Sequence, residues 1–103
     1  MTGVELIAQE RQRQIAVEDW DADHDDRHDD GDLARAAMCY ADPTAVYSQP
    51  GFPPDAWPWE SEGWKPKSDA IKNLVRAGAL IAAEIDRLAR ARQAVAGKEE
   101  KTK

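Results

Sequence analysis

In the segment Asp23-His24-Asp25-Asp26-Arg27-His28-Asp29-Asp30, two imidazoles stand four residues apart among carboxylates. On a helix that spacing turns both rings the same way. Nitrogen and carboxylate donors so placed suit Mg²⁺, Mn²⁺ or Zn²⁺. The ligand candidates are His24, Asp25, Asp26 and His28, with Glu84 from a later helix. The same residues also read as a solvated acidic loop whose aspartates cap the helix that follows. The EF-hand pattern is absent, because no Glu stands at the twelfth loop position. A second segment, Ala56-Trp57-Pro58-Trp59-Glu60-Ser61-Glu62-Gly63-Trp64-Lys65-Pro66, sets three indoles within eight residues. Trp57, Trp59 and Trp64 suit a box in which a nucleobase stacks while Lys65 meets a phosphate. The alternative is a mini-core, with the prolines stiffening a lid that the indoles fold down onto the helices.

Arg11 and Gln14 share the apolar face of a first helix, where an unpaired guanidinium would be costly to bury. Either Arg11 pairs internally with Glu18, or Arg11 and Gln14 point into a ligand cavity and recognise phosphate or carboxylate. Further along, Arg76, Leu80, Glu84 and Arg87 line one helical stripe. Leu80 in its middle implies that the stripe is not simply open to water. Arg76 or Arg87 suits an anion, and pairing of Glu84 with neighbouring arginines is the plainer account. Cys39 has no Cys or His partner at motif spacing and reads as a small buried hydrophobe. Without a Gly-rich phosphate loop, a GxSxG elbow or a CxxC pair, the chain shows no sign of P-loop or standard hydrolase chemistry.

Three helical patterns must position these groups. The first runs from about Gly3 to Glu18, with Val4, Ile7, Ala8 and Ile15 on the face that also carries Arg11, Gln14 and Glu18. The second starts near Asp29 or Asp32, either of which serves as N-cap, and ends near Ala41, with Leu33, Ala36, Ala37 and Tyr40 inward. The third is capped by Ser68, with Asp69 beside it, and runs to about Ala96 before Gly97. Along it Ile71, Leu74, Gly78, Ile81, Ile85 and Leu88 repeat at spacings of three and four, a seam packed lengthwise on another helix. Gly78 in that seam allows close backbone approach. All six prolines fall between Pro43 and Pro66, so this stretch is an irregular loop. No segment alternates as a strand would. The expected fold is all-α: one domain over residues 1–97, with an acidic loop, a Pro/Trp-rich loop, a long C-terminal helix, and a disordered tail over 98–103.

Composition narrows the function further. At 103 residues there is room for one core only. The net charge of −6 argues against a protein that coats DNA or RNA. The window Glu18 to Asp32 holds nine acids against one Arg, and the rest of the chain eleven acids against thirteen Lys/Arg. A mildly basic body therefore carries one strongly acidic loop. A single cysteine, no membrane-length apolar run and no leader-like start point to the cytoplasm. The broad apolar arc of the third helix, on so thin a core, points to a homo-oligomer.

Several of these segments, taken together, resemble a family of small bacteriophage and prophage proteins. They are Glu10-Arg11-Gln12-Arg13-Gln14-Ile15, Trp20, His24-Asp25-Asp26 with His28, Gly31, Leu33, Ala36-Ala37 with Tyr40-Ala41, Trp57-Pro58-Trp59, Trp64-Lys65-Pro66, and Leu74 to Ile81 with Ala83-Glu84-Ile85-Asp86-Arg87-Leu88. The likeness spans about Glu10 to Leu88 and implies a viral accessory role in a host bacterial cell. It departs at Asp19, where the pattern carries Gly, and at Gly63, where it carries an aromatic. An architectural likeness extends to the MazG-like all-α nucleoside triphosphate pyrophosphohydrolases, which hold Mg²⁺ on acidic residues from two helices. Their signature pairs an ExxE with an ExxD motif; here Glu84-Ile85-Asp86 has the wrong spacing and no ExxE stands on the first helix.

The leading expectation is a phage accessory protein that sequesters a small anionic ligand, a nucleotide or nucleotide-derived immune signal, without a cofactor and with no membrane or nucleic-acid polymer as partner. Its binding residues would be Arg11, Gln14, Trp57, Trp59, Trp64, Lys65, Arg76 and Arg87. The alternatives are a metal-dependent pyrophosphohydrolase using His24, Asp25, Asp26, His28 and Glu84, and an inhibitor of a host protein.

Overall fold

The computed structural model describes residues 1–42 and 52–101, the last four as backbone only. The described residues are helical and loop, with no strand among them. Among the described residues four α-helices follow in order: α1 (Gly3–Val17), α2 (Ala22–Asp26), α3 (Asp32–Ala41) and α4 (Ala70–Lys101), with one 3₁₀ turn at Ser61–Gly63. The all-α expectation holds, and so does the irregular Trp-rich loop over its described part. Residues 43–51 of the expected Pro-rich loop and 102–103 of the expected tail lie outside the described residues.

The helix ends follow from capping chemistry. Thr2 opens α1 with a capping box: its side chain accepts from Glu5 N–H, and Glu5 accepts in return from the Thr2 N–H. Asp21 caps α2, a short helix inside the expected acidic loop, by accepting from the His24 N–H. Asp69, rather than Ser68, caps α4, its Oδ1 accepting the Ile71 N–H at 2.9 Å. Before α3, Gly31 takes the N-cap position at φ 81 with no side-chain cap, and Asp32 is already the first helical residue. Between α1 and α2 the chain turns at Asp19, φ 59. This is a left-handed position where a glycine would be unstrained, and the turn lets the Trp20 N–H donate back to the Gln14 carbonyl at 3.0 Å. The helical backbone of α4 continues past Gly97 to Lys101 rather than stopping near Ala96.

α4 is the spine against which α1, α2 and α3 pack. The core joins Leu33, Ala36, Ala37 and Tyr40 of α3 to Ala77, Leu80 and Ala83 of α4, with Trp20, Trp57, Trp59 and Trp64 packed over it. The expected inward stripe of α3 is therefore correct, and Cys39 is buried as expected. The face assigned to α4 is not the one that packs: Leu74, Ile81, Ile85 and Leu88 are exposed, and α4 instead turns Asn73, Ala77, Ala79, Leu80 and Ala83 inward. Alanine-rich faces on both helices let the backbones approach closely, and Leu80 fills the remaining space. On α1 likewise, Val4 and Ile15 are exposed while Gln14 is fully buried. Gly78 does permit a close approach, to Ile7 of α1: a Cβ there would lie 2.5 Å from Ile7 Cδ1.

Candidate functional site

A continuous file of rings crosses the molecule. Trp20 stacks on His24 with centroids 5.6 Å apart and planes at 8°. His24 meets His28 at 4.7 Å, and His28 meets Trp59 at 5.2 Å. Trp59 then meets Trp57 edge-on at 5.3 Å, Trp57 meets Trp64 at 5.0 Å, and Trp64 meets Tyr40 at 4.9 Å. The file ends where the Arg76 guanidinium lies 5.2 Å from the Tyr40 ring centroid. His24 and His28 do bring their imidazoles together, although His28 lies beyond the end of α2 and the helix expected to span both stops at Asp26. The indoles pack on one another and on Tyr40, which is the lid arrangement, rather than standing apart around an open slot.

Hydrogen bonds pin the file to the helices. The Trp59 indole N–H donates to His28 Nδ1 at 3.3 Å, tying the loop to the connection between α2 and α3. The Lys65 N–H donates to the Tyr40 hydroxyl at 3.3 Å, and Arg76 donates to the Lys65 carbonyl at 3.2 Å. Lys65 is therefore held through its backbone, on both sides of its peptide, by α3 and α4.

Arg11 is paired, but not with Glu18. Its Nη2 reaches Asp25 Oδ2 at 2.5 Å and its Nη1 donates to the Trp20 carbonyl at 3.1 Å. Asp25, whose side chain is 1% exposed, also lies 3.0 Å from His24 Nδ1. Glu18 instead accepts from Arg13. Gln14 donates to Glu10 at 3.2 Å. Among the described residues Arg11 Nε and Gln14 Oε1, a donor and an acceptor one turn apart, have no partner. A donor and an acceptor buried so close together suit a bridging water.

Each carboxylate among the metal-ligand candidates is engaged by an arginine. Asp25 is taken by Arg11, Asp26 accepts from Arg90 at 2.7 Å, and Glu84 accepts from Arg87 at 2.5 Å. His28 lies 3.4 Å from Asp32, which is itself paired with Arg35. Among the described residues no three His, Cys, Asp or Glu side chains gather in a metal-holding group. Arg87 lines a hollow of about 300 Å³ with Asp26, Asp29 and Arg90, a balanced set of charges.

A cavity with a cationic bias lies between α1 and the start of α4. Its volume is about 540 Å³, and its lining includes Arg13, Lys67, Lys72 and Arg76 against Glu10 and Asp69, with Leu6, Ile71 and Val75 as an apolar floor. Of these only Arg76 stands among the residues expected from the sequence to bind ligand. The others were hidden because Lys67 and Lys72 precede and open α4 while Arg13 sits on α1, and no local spacing joins them. Glu10 organises the inner wall. It accepts from Arg13 at 2.7 and 2.8 Å and lies 3.8 Å from Arg76 Nε. Burial pushes its carboxyl upward, but the Arg13 hydrogen bond and charge, Gln14 and Arg76 together hold it below the ordinary value. Arg13 is correspondingly locked in its charged form, chiefly by the Glu10 hydrogen bond. The groove thus has fixed guanidinium walls and two ammonium groups, Lys67 and Lys72, with no side-chain partner among the described residues, an arrangement that attracts an anion and has an apolar surface for the rest of a small ligand. Comparison with family models, curated proteins and solved structures returns no match. The groove, the ring file and the buried ion pair therefore carry the functional reading.

Among the described residues no helix is long and apolar enough to cross a membrane. Burial pushes the Cys39 thiol upward, so it stays protonated and a poor nucleophile at neutral pH.

Proposed function

We propose that this chain binds and sequesters a small anionic ligand of the nucleotide class, without cofactor, in the α1–α4 groove. In the setting its family likeness implies, a phage accessory protein in the cytoplasm of a host bacterium, that ligand is a nucleotide-derived immune signal. The observation that carries the reading is the cationic excess of the groove: Arg13, Lys67, Lys72 and Arg76 against Glu10 and Asp69, around about 540 Å³. Phosphate would meet Lys67, Lys72 and the free edge of Arg76, and the apolar floor would take a sugar or base. Arg76 also lies over Tyr40, which packs on Trp64, so drawing its guanidinium toward phosphate would perturb an indole. Tryptophan emission is then a reporter of binding even though the indoles do not themselves clasp the ligand. Among the earlier candidates this keeps Arg76 in contact with ligand and gives Trp64 and Lys65 a supporting place. Arg11, Gln14, Trp57, Trp59 and Arg87 serve as architecture.

The pyrophosphohydrolase alternative requires Asp25, Asp26 and Glu84 to leave Arg11, Arg90 and Arg87 before they ligate Mg²⁺, and charge-assisted bonds of this kind resist that. Titration calorimetry with mononucleotides, dinucleotides and cyclic dinucleotides, followed by chromatography of each heat-released ligand, tests the proposal. Expected are binding of at least one class, recovery of the ligand unchanged, loss of more than about tenfold in affinity for Lys67→Ala/Lys72→Ala, and weakening with added salt. No heat with any nucleotide, or unaltered affinity in the double variant, overturns it. Release of pyrophosphate instead establishes the enzyme.

A further inference from the structure

The apolar stripe that α4 leaves open consists of Ile71, Leu74, Ile81, Ile85, Leu88 and Val95, each between 47% and 62% exposed. These are a and d positions of one heptad register. Its two remaining members are Gly78, whose place is filled by Ile7 from α1, and Arg92. Beyond Arg90, whose side chain still reaches Asp26 of α2, the end of α4 also projects from the body of the protein. Every residue from Ala91 to Ala96 is exposed while the backbone stays helical to Lys101. A free helical end of this length is not self-supporting in water, because its hydrogen bonds do not offset the entropy of ordering it. The projecting end and the open stripe therefore need a cover.

We propose that the cover is a second copy of this chain, its α4 lying antiparallel on the first. With the two-fold axis midway between Ile81 and Ile85, Ile81 meets Ile85 of the second copy. Leu74 then meets the aliphatic stem of Arg92, and Ile71 meets Val95. The contact runs about 36 Å along each helix at about 1.5 Å per residue, most of the molecule's 55 Å length. The lengths match on both sides of the axis: the projecting end of one copy covers the open start of α4 on the other, and the reverse holds by symmetry. A parallel pair would set Arg92 against Arg92, align the helix dipoles and leave both ends projecting side by side. The antiparallel pair avoids all three. Ile71 belongs both to the stripe and to the lining of the groove, so in this pair Val95 of the second copy closes the groove's open flank. The pairing itself needs no ligand, and its test reads mass rather than binding, so it stands or falls apart from the nucleotide proposal.

Light scattering coupled to size exclusion on the full chain should give twice the 11.5 kDa of one chain. Leu88→Asp, at a residue exposed in the single chain, should halve that mass and keep the helical circular dichroism of the body. Should this variant lose its helical signal, cross-linking decides the matter. In a Cys39→Ala background, an equimolar mixture of Ile81→Cys and Ile85→Cys chains should yield mainly the mixed 81–85 disulfide under mild oxidation. A wild-type mass of a single chain, a folded Leu88→Asp that stays dimeric, or 81–81 and 85–85 cross-links in excess of the mixed one each overturn the proposal.

Discussion

Replacing Arg11 with Met tests the buried ion pair at the centre of the α1–α2 corner. The guanidinium is held 2.5 Å from Asp25 with side-chain exposures of 12% and 1%, and it also donates to the Trp20 carbonyl. Removing one partner leaves an almost wholly buried carboxylate whose remaining neighbour is His24. Such a loss costs about 3–5 kcal/mol, mostly as desolvation of the stranded charge. In a chain of this length that lowers Tm by more than about 12 °C. Arg90→Met is the control: its pair with Asp26 is open to water, with side chains 35% and 50% exposed, and should cost less than about 1 kcal/mol. Urea unfolding followed by far-ultraviolet circular dichroism measures both. Because the penalty arises from the unpaired charge, Arg11→Met/Asp25→Leu should recover most of the loss. An Arg11→Met variant no less stable than Arg90→Met, or a double variant worse than either single change, refutes the reasoning. Glu18→Gln should leave the Arg11 effect unchanged, since Glu18 bonds Arg13.

Four further outcomes are expected. Glu10 is held below its ordinary value of 4.5. Its ionised contacts therefore add stability that is fully present above that value and lost as the pH falls through the lower folded one. The Tm gap between wild type and Glu10→Gln should stay level from about pH 7 to about pH 5 and close below 4.5, and a gap that widens in acid contradicts this. Gly78→Val should cost about 1–3 kcal/mol by driving into Ile7, with Ile7→Ala partly restoring it, as read by thermal unfolding. At Asp19, φ 59, Gly should exceed Ala in stability by about 1 kcal/mol, and equal melting curves would remove the strain argument. Cys39 should resist a thiol reagent in the native protein and react on addition of urea, and a fast native reaction would show it is not buried.

What the sequence made legible, and what it hid, divides by range. The inward stripe of α3 was readable because Leu33, Ala36, Ala37 and Tyr40 follow the helical repeat within one element. His24 and His28 also converge, but His28 lies beyond α2, in a turn whose N–H returns to the Asp25 carbonyl, so a helical repeat does not account for it. The packing face of α4 was not readable. Ranking residues by hydrophobicity selects Ile71, Leu74, Ile81, Ile85 and Leu88, whereas the face that meets α3 is built of Asn73, Ala77, Leu80 and Ala83. Alanines weigh little in such a ranking, yet they allow the close approach that excludes water. The five-residue α2 is too short to show a period. The Arg11–Asp25 bond spans fourteen residues and two elements, so no local spacing reports it, and Arg11–Glu18 looks just as plausible along a single helix.

That misassigned seam bears on the function as well as the fold. A chain that spends its alanines on the inner face of α4 and its larger aliphatics on the outer one has a core that closes without Ile81, Ile85 or Leu88. Those side chains are then free to serve the proposed assembly, and their exposure along one heptad register is hard to reconcile with a lone helix in water. The groove follows the same division. Arg76 leaves the inner face to hold the Lys65 carbonyl and the Tyr40 ring, while Ile71 sits on the outer stripe and lines the cavity from the other side. The cavity is therefore bounded by the core on one flank and by the exposed apolar stripe of α4 on the other. Under the two proposals taken together, ligand affinity should rise with dimer population. Leu88→Asp, far from Lys67 and Lys72 in sequence, should weaken nucleotide binding while leaving the groove's own charges intact. Unchanged affinity in a monomeric Leu88→Asp would separate the groove from the interface and confine the site to a single chain.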